Sequence, residues 1–127
     1  NLGLVKKSQE LLDDAVGCYR TALQLDPRHQ KARFNLANLL REMGKVPVAV
    51  REYQTLVKQC PDWYEARLNH GAALVEMGQS AEALAEYEAA WKVRPGDTDL
   101  AMNVADVYIR QGLPEQARAW GKRARKG

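Results

Sequence analysis

The residues best placed to do chemistry are four asparagines, Asn1, Asn35, Asn69 and Asn103, each 34 positions from the next. A carboxamide carries an acceptor oxygen and two donor hydrogens, so one side chain can pair with both the C=O and the N–H of a peptide backbone without reading its side chains. Asparagine is also a poor helix former, by about half a kcal/mol against alanine, so its return at a fixed helical position calls for a compensating role. Holding a chain, rather than making or breaking bonds, is the chemistry these residues suit.

Bond-making chemistry has little to work with. His29 follows Pro27 in a turn and His70 takes a core-type helical position, so both read as surface or packing residues rather than acid–base groups. Cys18 and Cys60 fall at different phases of the 34-residue spacing, which makes neither a disulfide framework nor a metal-ligand cluster. As free thiols they point to a reducing compartment, the cytoplasm ahead of the periplasm. No Gly-rich phosphate loop, Ser-centred elbow or metal-spaced Cys/His set is present. The expectation is a protein that is not an enzyme, with no cofactor, no metal and no small-molecule substrate.

The elements that position the asparagines follow from the same register. Pro27, Pro61 and Pro95 are 34 apart, as are Gly44, Gly78 and Gly112, the alanines 15, 49, 83 and 117, and Tyr19, Tyr53 and Tyr87. Several residue types in one phase mark a repeat architecture, which buries its core by stacking units. Within a unit, Phe34, Leu36, Ala37, Leu39, Leu40 and Met43 recur at three- and four-residue steps until Gly44; Val48, Ala49, Tyr53, Leu56 and Val57 then begin a second stripe. Each unit is therefore a helix–turn–helix. Pro47 and Pro114 suit the starts of second helices, where a missing N–H costs little, and Pro61 and Pro95 lie just past the ends of such helices.

Helix boundaries are expected near 44–47, 61–63, 78–80, 95–97 and 112–114. The chain divides into a partial repeat 1–29, full repeats 30–63 and 64–97, and a final repeat 98–127, all one domain. The small side chains Ala49, Ala83 and Ala117 let the second helix approach the first, and Tyr53 and Tyr87 fill space towards the neighbouring unit. Asp13, Asp14, Glu82 and Glu115 fall near the starts of second helices, where negative charge complements the helix dipole.

Composition agrees, since 127 residues with 46% hydrophobic and 28% charged content are ordinary globular material. No apolar run of about 18 residues exists, so no membrane insertion is expected. Neither is a signal peptide visible ahead of the first repeat. Charge is uneven: Arg118, Lys122, Arg123, Arg125 and Lys126 crowd the end, leaving 14 basic against 16 acidic groups elsewhere. Their first reading is a solvated last helix with cations near its C-terminus, and their second is contact with RNA or an acidic surface.

These residues resemble the tetratricopeptide repeats, whose pattern runs Trp, Leu, Gly or Ala, Tyr, then Ala, an aromatic and Pro across 34 residues. One unit reads Arg33, Leu36, Ala37, Leu40, Ala49, Tyr53, Pro61, and the next Arg67, His70, Gly71, Leu74, Ala83, Tyr87, Pro95. Arg33, Arg67 and Ala101 depart from the family's Trp, His70 from its Leu, and Gly121 stands where earlier units have Tyr, so the last helix is expected to pack more loosely or to lean on Trp120. The chain starts inside a first helix and ends without the polar capping helix that such stacks carry, which points to a fragment of a longer protein.

The resemblance implies an all-α, right-handed helical solenoid of antiparallel helix pairs, a superhelix whose concave face is lined by first helices and holds an extended peptide or partner helix. Stacked helices lie about 8–10 Å apart and an extended chain advances about 3.3–3.6 Å per residue, so successive asparagines would meet a bound peptide at about every third residue. Such a ladder resembles the one in the repeat region of O-linked N-acetylglucosamine transferases and in related bacterial repeat proteins. Inheritance by duplication, or bonds that tie one helix to the next, would also account for the series. Beside the asparagines, Phe34, Leu68 and Met102 one residue earlier and Asn38, Ala72 and Asp106 three residues later would border the groove, unless the first set is ordinary inter-helix packing.

A two-carboxylate clamp for chaperone tails is incomplete, because Asn35 and Asn38 match but Phe34 stands where that family places Lys. The expected function is thus a protein–protein interaction scaffold. The runners-up are the substrate-recognition arm of a larger enzyme such as a glycosyltransferase and, least favoured, an RNA-contacting solenoid. Self-association through apolar ends near Leu2 and Val5 or Trp120 is a further expectation.

Overall fold

The computed structural model describes the backbone of residues 2–126 and the side chains of residues 10–123. Asn1, and the side chains of Leu2 and Val5, therefore lie outside the described residues. The described chain is helical throughout: α1 (Leu2–Leu25), α2 (Gln30–Glu42), α3 (Val46–Gln59), α4 (Tyr64–Glu76), α5 (Ser80–Val93), α6 (Thr98–Arg110) and α7 (Pro114–Lys126). It forms two compact units, Asn1–Cys60 and Pro61–Gly127.

The turns explain the punctuation seen in the sequence. Gly44, Gly78 and Gly112 have φ of 82°, 78° and 78°, the left-handed region that a side chain would strain. At the first turn Gly44 N–H donates to the Arg41 carbonyl at 3.0 Å and Lys45 N–H to that of Leu40 at 2.8 Å; the same pair of bonds recurs at 78–79 and 112–113. This Schellman geometry satisfies carbonyls that a helix end leaves open. Pro47 lies in the first turn of α3 and Pro114 opens α7.

The first unit departs from expectation in one respect. Glu10 occupies the register position of the turn glycines, and α1 runs through it as one 24-residue helix. Without a residue suited to positive φ, no turn forms there. Asp13 and Asp14 consequently sit inside α1 rather than at the start of a second helix, whereas Glu82 and Glu115 do lie in the first turns of α5 and α7. In this unit α2 packs against α1 and α3. Leu36, Leu40, Ala49, Tyr53 and Leu56 are fully enclosed, and each large side chain contributes about 1.5–3 kcal/mol by leaving water.

In the second unit α4 pairs with α5 and α6 with α7, while α5 and α6 also meet. Its core includes Ala66, Leu74, Ala83, Tyr87, Ala90, Leu100, Val104, Val107, Ala117 and Trp120. A Cβ built on Gly71 would stand 2.6 Å from Tyr87 Cε1, so the ring packs against bare backbone of α4. The glycine there is a requirement of close approach, not of turn geometry.

Candidate peptide-binding surface

Positions 34, 35 and 38 lie on one face of α2, since helical neighbours three and four apart face the same way. The equivalent sets are Leu68, Asn69 and Ala72 on α4, and Met102, Asn103 and Asp106 on α6. Phe34 and Asn35 are half-buried, as are Leu68, Asn69 and Ala72, whereas Asn103 and Asp106 are exposed and Met102 is 66% exposed. The structure thus brings the candidate residues together helix by helix. Asn1 is outside the described residues.

Two of the flanking residues have local duties. The Tyr53 hydroxyl donates to Asn38 Oδ1, which ties the α2 face to the buried tyrosine of α3. Asp106 Oδ2 is 3.2 Å from Arg110 Nη2, one turn along α6. An exposed pair of this kind contributes only about 0.3–0.5 kcal/mol.

Beneath this surface, the departures from the family pattern turn out to be coordinated. Arg33 donates from Nη1 to Glu52 Oε2 at 2.8 Å and from Nη2 to the Pro27 carbonyl at 3.0 Å. Arg67 repeats the arrangement 34 residues on, with Nη1 at 2.8 Å from Glu86 Oε2 and Nε donating to the Pro61 carbonyl at 3.0 Å. The arginine at the family's Trp position therefore joins first helix to second helix and fastens the preceding turn. His70 extends the second of these clusters, its Nδ1 lying 3.3 Å from Glu86 Oε1. Burial opposes the charge on Glu86, but the hydrogen bonds from His70 and Arg67 outweigh it and hold the carboxyl below its ordinary range. His70 is only 4% exposed, as its core-type position implied, while His29 is the exposed N-cap of α2 and accepts the Ala32 N–H on Nδ1 at 3.1 Å.

Several contacts escaped sequence reasoning. Asp97 caps α6, accepting from the Asp99 N–H at 3.0 Å, and also accepts a hydrogen bond from the Tyr64 hydroxyl at the start of α4. That bond and the cap hold the Asp97 carboxyl low; burial first, and then Asp97, push the Tyr64 hydroxyl far above the usual phenol range. Arg94 lies over the Tyr64 ring at 4.1 Å and pairs with Glu65 at 3.4 Å. The residue type of Asp97, following Pro95 and Gly96, is the signal that could have marked this cap, but its link to Tyr64 has no signal in a single sequence. Cys18 is exposed and Cys60, the C-cap of α3, is half-buried, which raises its thiol pKa.

Among the described residues, no helix is long and apolar enough to cross a membrane. No curated protein matches the sequence. Among solved structures, MamA MSR-1 aligns over 98% of this chain and 72% of its own, with 22% identity and a TM-score of 0.80. A MamA RS-1 double mutant aligns over 98% and 70%, at 16% identity and a TM-score of 0.83. YrrB, described as a TPR protein with an unusual peptide-binding site, aligns over 96% of this chain and 63% of its own, at 24% identity and a TM-score of 0.81. These likenesses show the fold, antiparallel helix pairs in tandem. Residues 1–63 and 68–127 match the tetratricopeptide-repeat family model, and the chain belongs to that family.

Proposed function

We propose that this chain is a protein-interaction scaffold that holds an extended peptide through the carboxamides of its first helices, with the partial repeat 1–29 and the repeats 30–63, 64–97 and 98–127 as its modules. The observation that carries this reading is the return of asparagine at one register position of α2, α4 and α6, with Asn103 exposed and Asn35 and Asn69 half-buried. A carboxamide recognises backbone, so affinity comes from the repeated asparagines and selectivity from their neighbours. Phe34, Leu68 and Met102 supply apolar contact, while Asn38, Ala72 and Asp106 vary in polarity from unit to unit. The peptide-binding description of YrrB supports the same class of ligand. Nothing in this reading requires catalysis.

The test is selection of peptides from a random library on the parent chain, followed by affinity measurement on Asn35→Ala/Asn69→Ala. Loss of backbone hydrogen bonds worth about 0.5–1.5 kcal/mol each predicts affinity lower by about fivefold to a hundredfold. Equal affinity, with helix content and melting unchanged, would remove the asparagines from the binding surface.

A further inference from the structure

One face of α1 is open where its counterparts on the other second helices are closed. In α3 and α5, which pair with α2 and α4, Ala49, Leu56, Ala83 and Ala90 are 0% exposed, and Glu52 and Glu86 between them receive the arginines of the first helices. At the register position of those glutamates α7 has Trp120, buried and in edge-to-face contact with Trp91, ring centroids 5.2 Å apart. In α1 the same positions are Ala15 and Ala22, both half-buried, and Cys18, which is exposed. Leu11 and Leu25 extend this face and are 64% and 84% exposed.

The cause is the missing turn at Glu10. Leu2 and Gly3 hold the register of Leu36 and Ala37 on a first helix, but with no turn before them they continue α1 in line. Position 3 therefore lies about 24 Å along the axis from position 19, whereas its counterpart Gly71 stands against the ring of Tyr87. The helix cannot cover its own face. The open residues form a heptad seam instead: Leu11, Cys18 and Leu25 recur every seventh residue, with Ala15 and Ala22 between them in alternating four- and three-residue steps. That is the a/d spacing of a two-helix coil, with leucine at d and small residues at a that let backbones approach.

We propose that this face is a dimer seam, on which α1 packs against α1 of a second copy through Leu11, Ala15, Cys18, Ala22 and Leu25. The seam is its own complement. Leu11 and Leu25 lie seven residues either side of Cys18, so a twofold pair sets leucines at both ends of the contact and the cysteines near its centre. Charge agrees with self-pairing as well. Between residues 11 and 25 the positions flanking the seam are Leu12, Asp14, Tyr19 and Thr21, of which only Asp14 is charged. Across the seam Asp14 meets the partner's Tyr19 in a parallel pair and the partner's Thr21 in an antiparallel one, so no like charges come together. A foreign helix would have to bring the same alternation of large and small residues; a second copy already carries it. The seam makes no use of the first-helix asparagines.

The test is sedimentation equilibrium of the 127-residue chain under reducing conditions across a dilution series. The parent should pass from monomer to dimer as concentration rises. Leu11→Glu/Leu25→Glu puts like charges into the seam and should raise the dissociation constant about tenfold or more. Both leucines are exposed, so circular dichroism should not change. Proximity gives a second readout: in a Cys60→Ser background a short bismaleimide should join Cys18 of two copies, and the same leucine variants should abolish that cross-link. Leu113→Glu, at an exposed leucine outside α1, should behave as the parent in both measurements. A parent that stays monomeric at every concentration would overturn the proposal and leave the face to a helix of another protein. So would a dissociation constant within twofold of the parent for Leu11→Glu/Leu25→Glu, or a dimer lost in Leu113→Glu instead, which would move the contact to the end of α6.

Discussion

The α4–α5 pair and the α6–α7 pair solve one packing problem with opposite chemistry. In α4–α5, Arg67 and Glu86 bond across the pair and His70 joins them. In α6–α7 the corresponding positions are Ala101, Trp120 and Val104, all buried and all apolar. The exchange extends one residue further. Tyr87 packs on Gly71 in the first pair, while in the second Gly121 replaces the tyrosine and Ala105 the glycine. What the repeat preserves is filled volume between its helices; the substitutions come in sets because a ring gained on one helix must be matched by space on the other.

The largest effect that would test this contrast is on the apolar pair. Trp120→Ala removes its main large side chain, and the loss of transfer energy plus the cavity predicts destabilisation by about 3–5 kcal/mol, read by denaturant unfolding with hydrogen exchange localising it to α6 and α7. A loss under about 1 kcal/mol would mean that Trp120 is not the substitute for the charged cluster. Next come two glycines with opposite expected signs. Gly71→Ala drives a Cβ into the buried Tyr87 ring and should cost about 1–3 kcal/mol. Gly121→Ala meets nothing within 4 Å in the exposed face of α7 and should stabilise by about 0.5–1 kcal/mol. Equal signs would show that the exchange of ring and small residue is incidental.

The smallest effect is acid dependence of the charged pair. The carboxyl of Glu86 is held below its ordinary value in the folded chain. A lowered folded-state pKa adds stability above the unfolded-state value, near 4.3, and that stability is lost as pH falls through the folded-state value. Protection of α4 and α5 amides should therefore decline below about pH 4, and Glu86→Gln should flatten the decline. An unchanged pH profile in that variant would assign acid sensitivity elsewhere, with the low-pKa Asp97 cap of α6 the next group to test.

Much of the fold was legible because it is punctuated locally. The turns at Gly44, Gly78 and Gly112 require positive φ, and proline must lie outside a helix or in its first turn, so each boundary after Gly44 could be read from residue type alone. The same logic accounts for α1: Glu10 cannot serve as that turn, so the helix continues and Asp13 and Asp14 lie inside it. The candidate asparagine face was legible as a register, since helical spacing alone assigns residues 34, 35 and 38 to one face. The Tyr53–Asn38 bond, the Tyr64–Asp97 bond and the Trp91–Trp120 contact were not, because each joins residues from different helices whose separation depends on how closely those helices pack.

Sequence by itself determined the 34-residue unit, its helices and the residues that share a face, since propensity, capping and periodicity act over a few positions. Only the tertiary structure decided what the departures from the repeat pattern mean. Arg33 and Arg67 became bridges to Glu52 and Glu86, and Trp120 became a buried floor beside Trp91. The physical reason is that a side chain's partner is chosen by distance and burial across helices, and those are set by packing rather than by order along the chain.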